Sequence, residues 1–182
     1  MARNLRAIYV DGNRTAPLVP LNTEKFAQLI SEHYNITIHS QTCQELGTHC
    51  KGLLARRKDN TAIILIAENN NECWRRFVYI KELCHLFLAE RDISCNDAPA
   101  LAEELLDQGQ DERRELFSSE AAAAFAAIEI MIPDSIHDKI AHMSNVEGKT
   151  PYQIAYFLKT PKKHVEMRMR EWGIPINSET PK

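Results

Sequence analysis

Residues 74–91 read WRRFVYIKELCHLFLAER, and from Phe77 to Leu88 the stretch is almost wholly apolar. A run of this length without Gly or Pro reads as a buried helix rather than a strand. It is too short, and too often broken by charge, to span a membrane. The exceptions to its apolar character are Lys81, Glu82 and His85. On a helix Lys81 and His85 stand one turn apart on one face, with Glu82 beside them. Each ionisable group on a buried helix needs a hydrogen bond, a counter-charge or a metal. This cluster is therefore where chemistry is expected.

Upstream of that helix, Gly52–Arg56 and Thr61–Ala67 read as a β-hairpin joined around Lys58-Asp59-Asn60. The near-continuous apolar run TAIILIA marks the more central strand. Ile36–Ser40 alternates and is rich in β-branched residues, which adds a third strand. Before it, Asn22-Thr23-Glu24 supplies a cap and an acidic first turn, and Phe26, Leu29 and Ile30 give a helical stripe. Residues 1–21 are mixed and Pro-flanked, and are expected to be an extended lead-in.

Downstream, Asn96-Asp97 can cap a helix through Leu105, and Gln108–Glu112 reads as a solvated linker. A second apolar helix, Leu116–Ile132, places Glu120, Ala124, Ala127 and Met131 on one face, with Glu120 the only charge there. Small residues on that face let another helix approach closely. Pro133 ends this helix, and Pro133-Asp134-Ser135 starts another that runs to about Ser144. The C-terminus reads as two short helices. Thr150-Pro151-Tyr152-Gln153 is a capping box with Pro at the first helical position. Thr160-Pro161 repeats the cap-plus-Pro start, and Gly173 closes the second helix. Lys162, Lys163, His164, Arg168 and Arg170 make the last helix basic, which allows a helix-turn-helix DNA reader. Glu166 and Glu171 dilute that charge and favour a packing appendage.

The 182 residues suit one domain with a small appendage: lead-in 1–21, core domain 22–145, helical appendage 146–182. A hydrophobic content of 44% supports a real core, and a formal charge of -3 gives no bulk case for nucleic acid or membrane binding. No signal peptide or transmembrane run is evident. Five cysteines (43, 50, 73, 84 and 95), without a close metal-binding pair, point to free thiols in a reduced, cytoplasmic protein.

Zinc peptidases carry H-E-x-x-H on a helix, where two His hold the metal and the Glu is general base toward bound water. Lys81-Glu82-Leu83-Cys84-His85 is one substitution away from that pattern. Taken with the hairpin before it, the RRF approach, and an acid on an alanine-rich helix ending in IMIP, the chain resembles the ImmA/IrrE family of metallopeptidase-like proteins. The segments concerned are Arg75–Leu88 and Glu120–Pro133, and YQIAYFLKTPKKHVEMRMREWGI resembles the family's terminal helix pair. The resemblance covers roughly residues 22–175. Aligned on Glu129-Ile130-Met131-Ile132-Pro133, it puts Glu120 at the family's third-ligand position and Ala123 at its alanine. Aligned on Phe125, it would put Ser119 there instead. The first register keeps five downstream residues and the carboxylate.

The resemblance implies an α+β, zincin-like core: a small three-stranded sheet packed on helices, plus a C-terminal helix pair. It also implies His85 and Glu120 as metal ligands if metal binds, Glu82 as general base if the chain is active, and zinc as cofactor in that case. The departure is Lys81, where the family has His. A protonated lysine has three donors and no lone pair, and deprotonating it at pH 7 costs about 4–5 kcal/mol. The lower-energy arrangement keeps the ammonium near the metal's place, paired with Glu120 and Glu82, with no metal bound. The expectation is a metal-free or degenerate pseudopeptidase with a regulatory, protein-binding role. The resemblance suggests a bacterial or phage stress-response partner such as a helix-turn-helix repressor. Two alternatives stand beside it: a divergent zinc endopeptidase that cuts such a repressor, with Cys84, a water or neutral Lys81 as the further ligand, and a DNA-binding module using the last helix.

Overall fold

A computed structural model describes residues 1–12, 19–44, 46, 50–88 and 110–177, with backbone only for 110–118. The expected helix over 96–105, and Cys95, lie outside the described residues. The elements are α1 (Ala2–Gly12), α2 (Thr23–Tyr34), β1 (Thr37–Cys43), β2 (Gly52–Arg56), β3 (Thr61–Ala67), α3 (Glu72–His85) and α4 (Gln110–Met131). After these come a 3-10 turn (Asp134–Ile136), α5 (His137–Asn145), α6 (Pro151–Leu158) and α7 (Lys162–Glu171). The result is the α+β arrangement expected from the sequence.

The strands form one mixed sheet in the order β1-β3-β2. TAIILIA is its central strand, parallel to β1 with Thr37 beside Thr61, and antiparallel to β2 with Arg56 beside Ala62. Ala62, Ile64 and Ile66 of β3 are buried, a period of two that marks the core face. α3 packs against β2 and β3 on one side and against α4 on the other. Ala123 and Ala127 are fully buried and Ala126 nearly so, which lets the α4 backbone come close to α3.

Helix ends follow local chemistry. The Asn22 and Asn71 side chains accept from Lys25 N and Trp74 N, each at 3.0 Å, to start α2 and α3. α3 ends at His85, short of the stretch read as helical to Leu88. There Arg56 of β2 donates to the carbonyls of His85 (3.1 Å) and Leu86, taking up acceptors that a longer helix would use. At the C-terminal end of α4, Arg6 donates to Ile130 O at 3.1 Å, and just beyond it Arg168 donates to Ile132 O at 3.2 Å.

Several sequence expectations need correction. Residues 2–12 are not extended: they form α1, which buries Ala2, Leu5, Arg6 and Tyr9, a helical spacing. α1 packs on α2 and α4, and the Tyr9 hydroxyl accepts from Asn22 N at 3.0 Å. Among the described residues α4 is already helical at Gln110, so the part of the expected linker over 110–112 is helix. Thr160 does not cap α7, because its hydroxyl donates to Leu158 O and Pro161 starts the helix uncapped. By contrast, the Thr150–Gln153 capping box forms in full, and Gly173 takes the positive φ of 67° that follows α7.

Ile154 and Leu158 of α6 and Val165 and Met169 of α7 join the same buried cluster as α3 and α4. His164 anchors α7 on α3: its ring stacks on Phe77 at 4.1 Å between centroids and meets the Trp74 edge at 5.6 Å. Its Nε2 is buried without a hydrogen-bond partner. Burial and the nearby Lys163 lower its pKa from 6.5 to about 4. The folded value lies below the unfolded one, so the unfolded chain takes up the proton first. Stability is therefore present above about pH 6.5 and lost as pH falls toward about 4. Urea unfolding across that range is expected to show a loss of roughly 1–2 kcal/mol, the full shift being discounted for partial solvent screening, that His164→Phe removes. An unchanged pH dependence in the variant would contradict this placement.

Candidate functional site

α3 and α4 bring together the residues that the sequence singled out. Lys81 Nζ lies 2.7 Å from Glu120 Oε2 and 3.0 Å from Glu82 Oε1. His85 Nε2 lies 2.9 Å from Glu120 Oε1, so the two oxygens of Glu120 are divided between lysine and histidine. The Lys81–Glu120 contact is a well-formed hydrogen bond. The other two are close but off the hydrogen-bond axis, and Glu82 Oε1 and His85 Nε2 stand as buried atoms without a hydrogen-bond partner. Only 4% of the Glu82 side chain is exposed, against half of the Glu120 side chain.

The electrostatics follow from burial and proximity. Burial alone would lower the Lys81 pKa, but the charges of Glu82 and Glu120 outweigh it and hold the ammonium above its ordinary range. Burial pushes the Glu82 carboxyl up, against the pull of Lys81. At Glu120 burial is overcome by His85 and Lys81, which bring the carboxyl down to about 2. Lys81 is thus the charged member around which both acids are arranged.

Two neighbours of the cluster were missed in the sequence. A Cβ at Gly52 would stand 2.2 Å from Val78 Cγ1 and 3.1 Å from Glu82 Oε1, so only glycine lets the start of β2 lie this close to Glu82. Arg56, at the other end of β2, fixes the carbonyl of His85. A lone glycine and a lone arginine in a strand carry no local pattern, and nothing short of the packing identifies them. The Cys50 thiol, pushed up by burial, also feels Glu82, Lys81 and Glu120. Cys84 is fully buried in the core, where burial pushes its thiol up to about 12.

A zinc site takes three or four lone-pair donors. His85 Nε2 and Glu120 offer two, while Lys81 brings protons to the corner where a third would stand. Among the described residues, no three His, Cys, Asp or Glu side chains converge as a metal-holding group. Among the described residues, the side chains present do not complete a zinc centre.

The basic last helix is largely spent internally. Arg168 is buried and pairs with Asp134 (2.6 Å) and Glu171 (2.7 Å), Lys163 lies over Trp74, and Lys162 and Arg170 both approach Glu166. No helix among the described residues is long and apolar enough to cross a membrane.

Removing the ammonium leaves Glu82 buried without its counter-charge. Lys81→Met is expected to cost roughly 3 kcal/mol or more in urea unfolding at neutral pH. Adding Glu82→Gln should restore part of that loss. Equal stability of Lys81→Met and wild type would contradict the ion-pair geometry.

Residues 25–170 match the family model of peptidase family M78, described as the IrrE N-terminal-like domain. No curated protein matches the chain. The match spans most of the sequence, including α3, α4 and the C-terminal helices, and the chain belongs to the ImmA/IrrE family. That family is metallopeptidase-like and typically zinc-dependent.

Proposed function

From that membership we propose that the chain is a metal-free pseudopeptidase with a regulatory role, acting by binding a protein partner in the cytoplasm. The observation that carries this reading is the position of Lys81 Nζ between Glu82 and Glu120. A positive charge fixed there repels a metal cation and supplies the charge balance that the metal would otherwise give. It also lacks the lone pair needed to complete the ligand set. What remains is the fold without a Lewis acid. The partner class suggested by the family resemblance is a helix-turn-helix repressor. An extended segment of it could pair with β2, which lies at an edge of the sheet beside Gly52 and Glu82. The free thiols of Cys50, Cys73 and Cys84 suit a reducing compartment.

A second reading, an active divergent zinc endopeptidase, has one observation in its favour. His85 Nε2 and Glu82 Oε1 are buried without hydrogen bonds, as a metal ligand and a general base would be before loading. In that reading His85 and Glu120 are ligands, Glu82 is the base, and Lys81 must give up its proton and its pairing.

Elemental analysis of untagged, chelator-free protein separates the two. Wild type is expected to hold far less than one zinc per chain, and Lys81→His to take up about one. Stoichiometric zinc in wild type would overturn the metal-free reading, and Glu82→Gln would then be tested for lost cleavage.

A further inference from the structure

A second concave site lies apart from the Lys81 cluster and shares no residue with it. α5, α6 and the loop between them line an open groove of about 700 Å³. That is within the usual size of small-molecule sites. Met143 and Phe157 give it an apolar base, and Tyr152 and Tyr156 form one wall. These two tyrosines, one turn apart on α6, are 61% and 77% exposed, far more than aromatic rings in a core.

The charges around this apolar base are unbalanced. Lys139 Nζ sits 4.6 Å from the centre of the Phe157 ring, and Lys149 stands at the loop end. The single lining acid, Glu147, is 3.7 Å from His142. Among the described residues, neither Lys139 nor Lys149 is paired with a carboxylate. The walls are pre-set. The Thr150–Gln153 capping box fixes the start of α6. Lys149 is held through its backbone, its N donating to Met143 O at 2.9 Å and its O accepting from Asn177 at 3.2 Å.

We propose that this groove binds a small ligand of the mononucleotide class, a flat aromatic ring joined to a phosphate monoester. The exposed tyrosine faces offer the ring an offset stack. The two unpaired ammonium groups match a phosphate of charge about -1.5 to -2. A polynucleotide is a poorer fit, because two free cations neutralise too few phosphates and the chain's formal charge is -3.

The test is isothermal titration calorimetry of the full chain with AMP, adenosine, inorganic phosphate and a short thymidine oligonucleotide. Saturable AMP binding is expected, with adenosine and phosphate each weaker by about tenfold or more. Tyr156→Ala and Lys149→Ala should each weaken AMP by about tenfold while leaving the thermal transition in place, since both side chains stand at the rim. No saturable heat with AMP, AMP binding untouched by both substitutions, or binding of the oligonucleotide alone through these residues would overturn the proposal.

Discussion

A carboxylate as deeply buried as Glu82 needs a positive charge within a few ångströms, and in this chain that charge is attached to the backbone one residue earlier. Lys81 cannot leave as a bound ion can. Its Nζ also reaches Glu120 on α4 at 2.7 Å, so one ammonium ties the two central helices together and balances both acids. Such a pair need not add net stability, because desolvation offsets much of the attraction. Its consequence is specificity: α3 and α4 must meet in one register, with His85 facing Glu120.

The surrounding fold is arranged so that this register can hold. Buried alanines at 123, 126 and 127 bring α4 close to α3, and Gly52 brings β2 close to Glu82. Arg56, Arg6 and Arg168 donate to carbonyls at helix ends that would otherwise be buried without partners. Each joins elements distant in sequence, so the cluster sits in a frame braced from the sheet, the first helix and the last one.

What could be read from the sequence tracks the range of the forces involved. The β2–β3 hairpin, the central place of TAIILIA, the Asn22 cap and the Thr150 capping box rest on neighbours a few residues apart, and all appear in the structure. The Lys81–Glu82–Glu120–His85 grouping was also legible, because helical spacing and an acid on an alanine face constrain it. α1 was misread although Ala2, Leu5, Arg6 and Tyr9 have helical spacing, because Arg6 is a charged residue on the buried face. Its burial makes sense only once Ile130 O is present to accept from it. Gly52 and Arg56 were illegible for the same reason: their partners lie on another element.

Lys81 is where this chain departs from the zinc-peptidase pattern. The chain keeps a histidine and two acids near where a zinc peptidase would have them, yet places a proton-bearing cation among them. On the proposed reading, the fold serves recognition without a Lewis acid at this cluster. The most direct measurement is nitrogen NMR of the Lys81 side chain at neutral pH, assigned with a Lys81→Arg variant and repeated with added zinc. The expected result is a protonated ammonium, protected from exchange and unmoved by the metal. A neutral amine, or a Lys81 signal that shifts stoichiometrically with zinc, would contradict a site held by its own lysine.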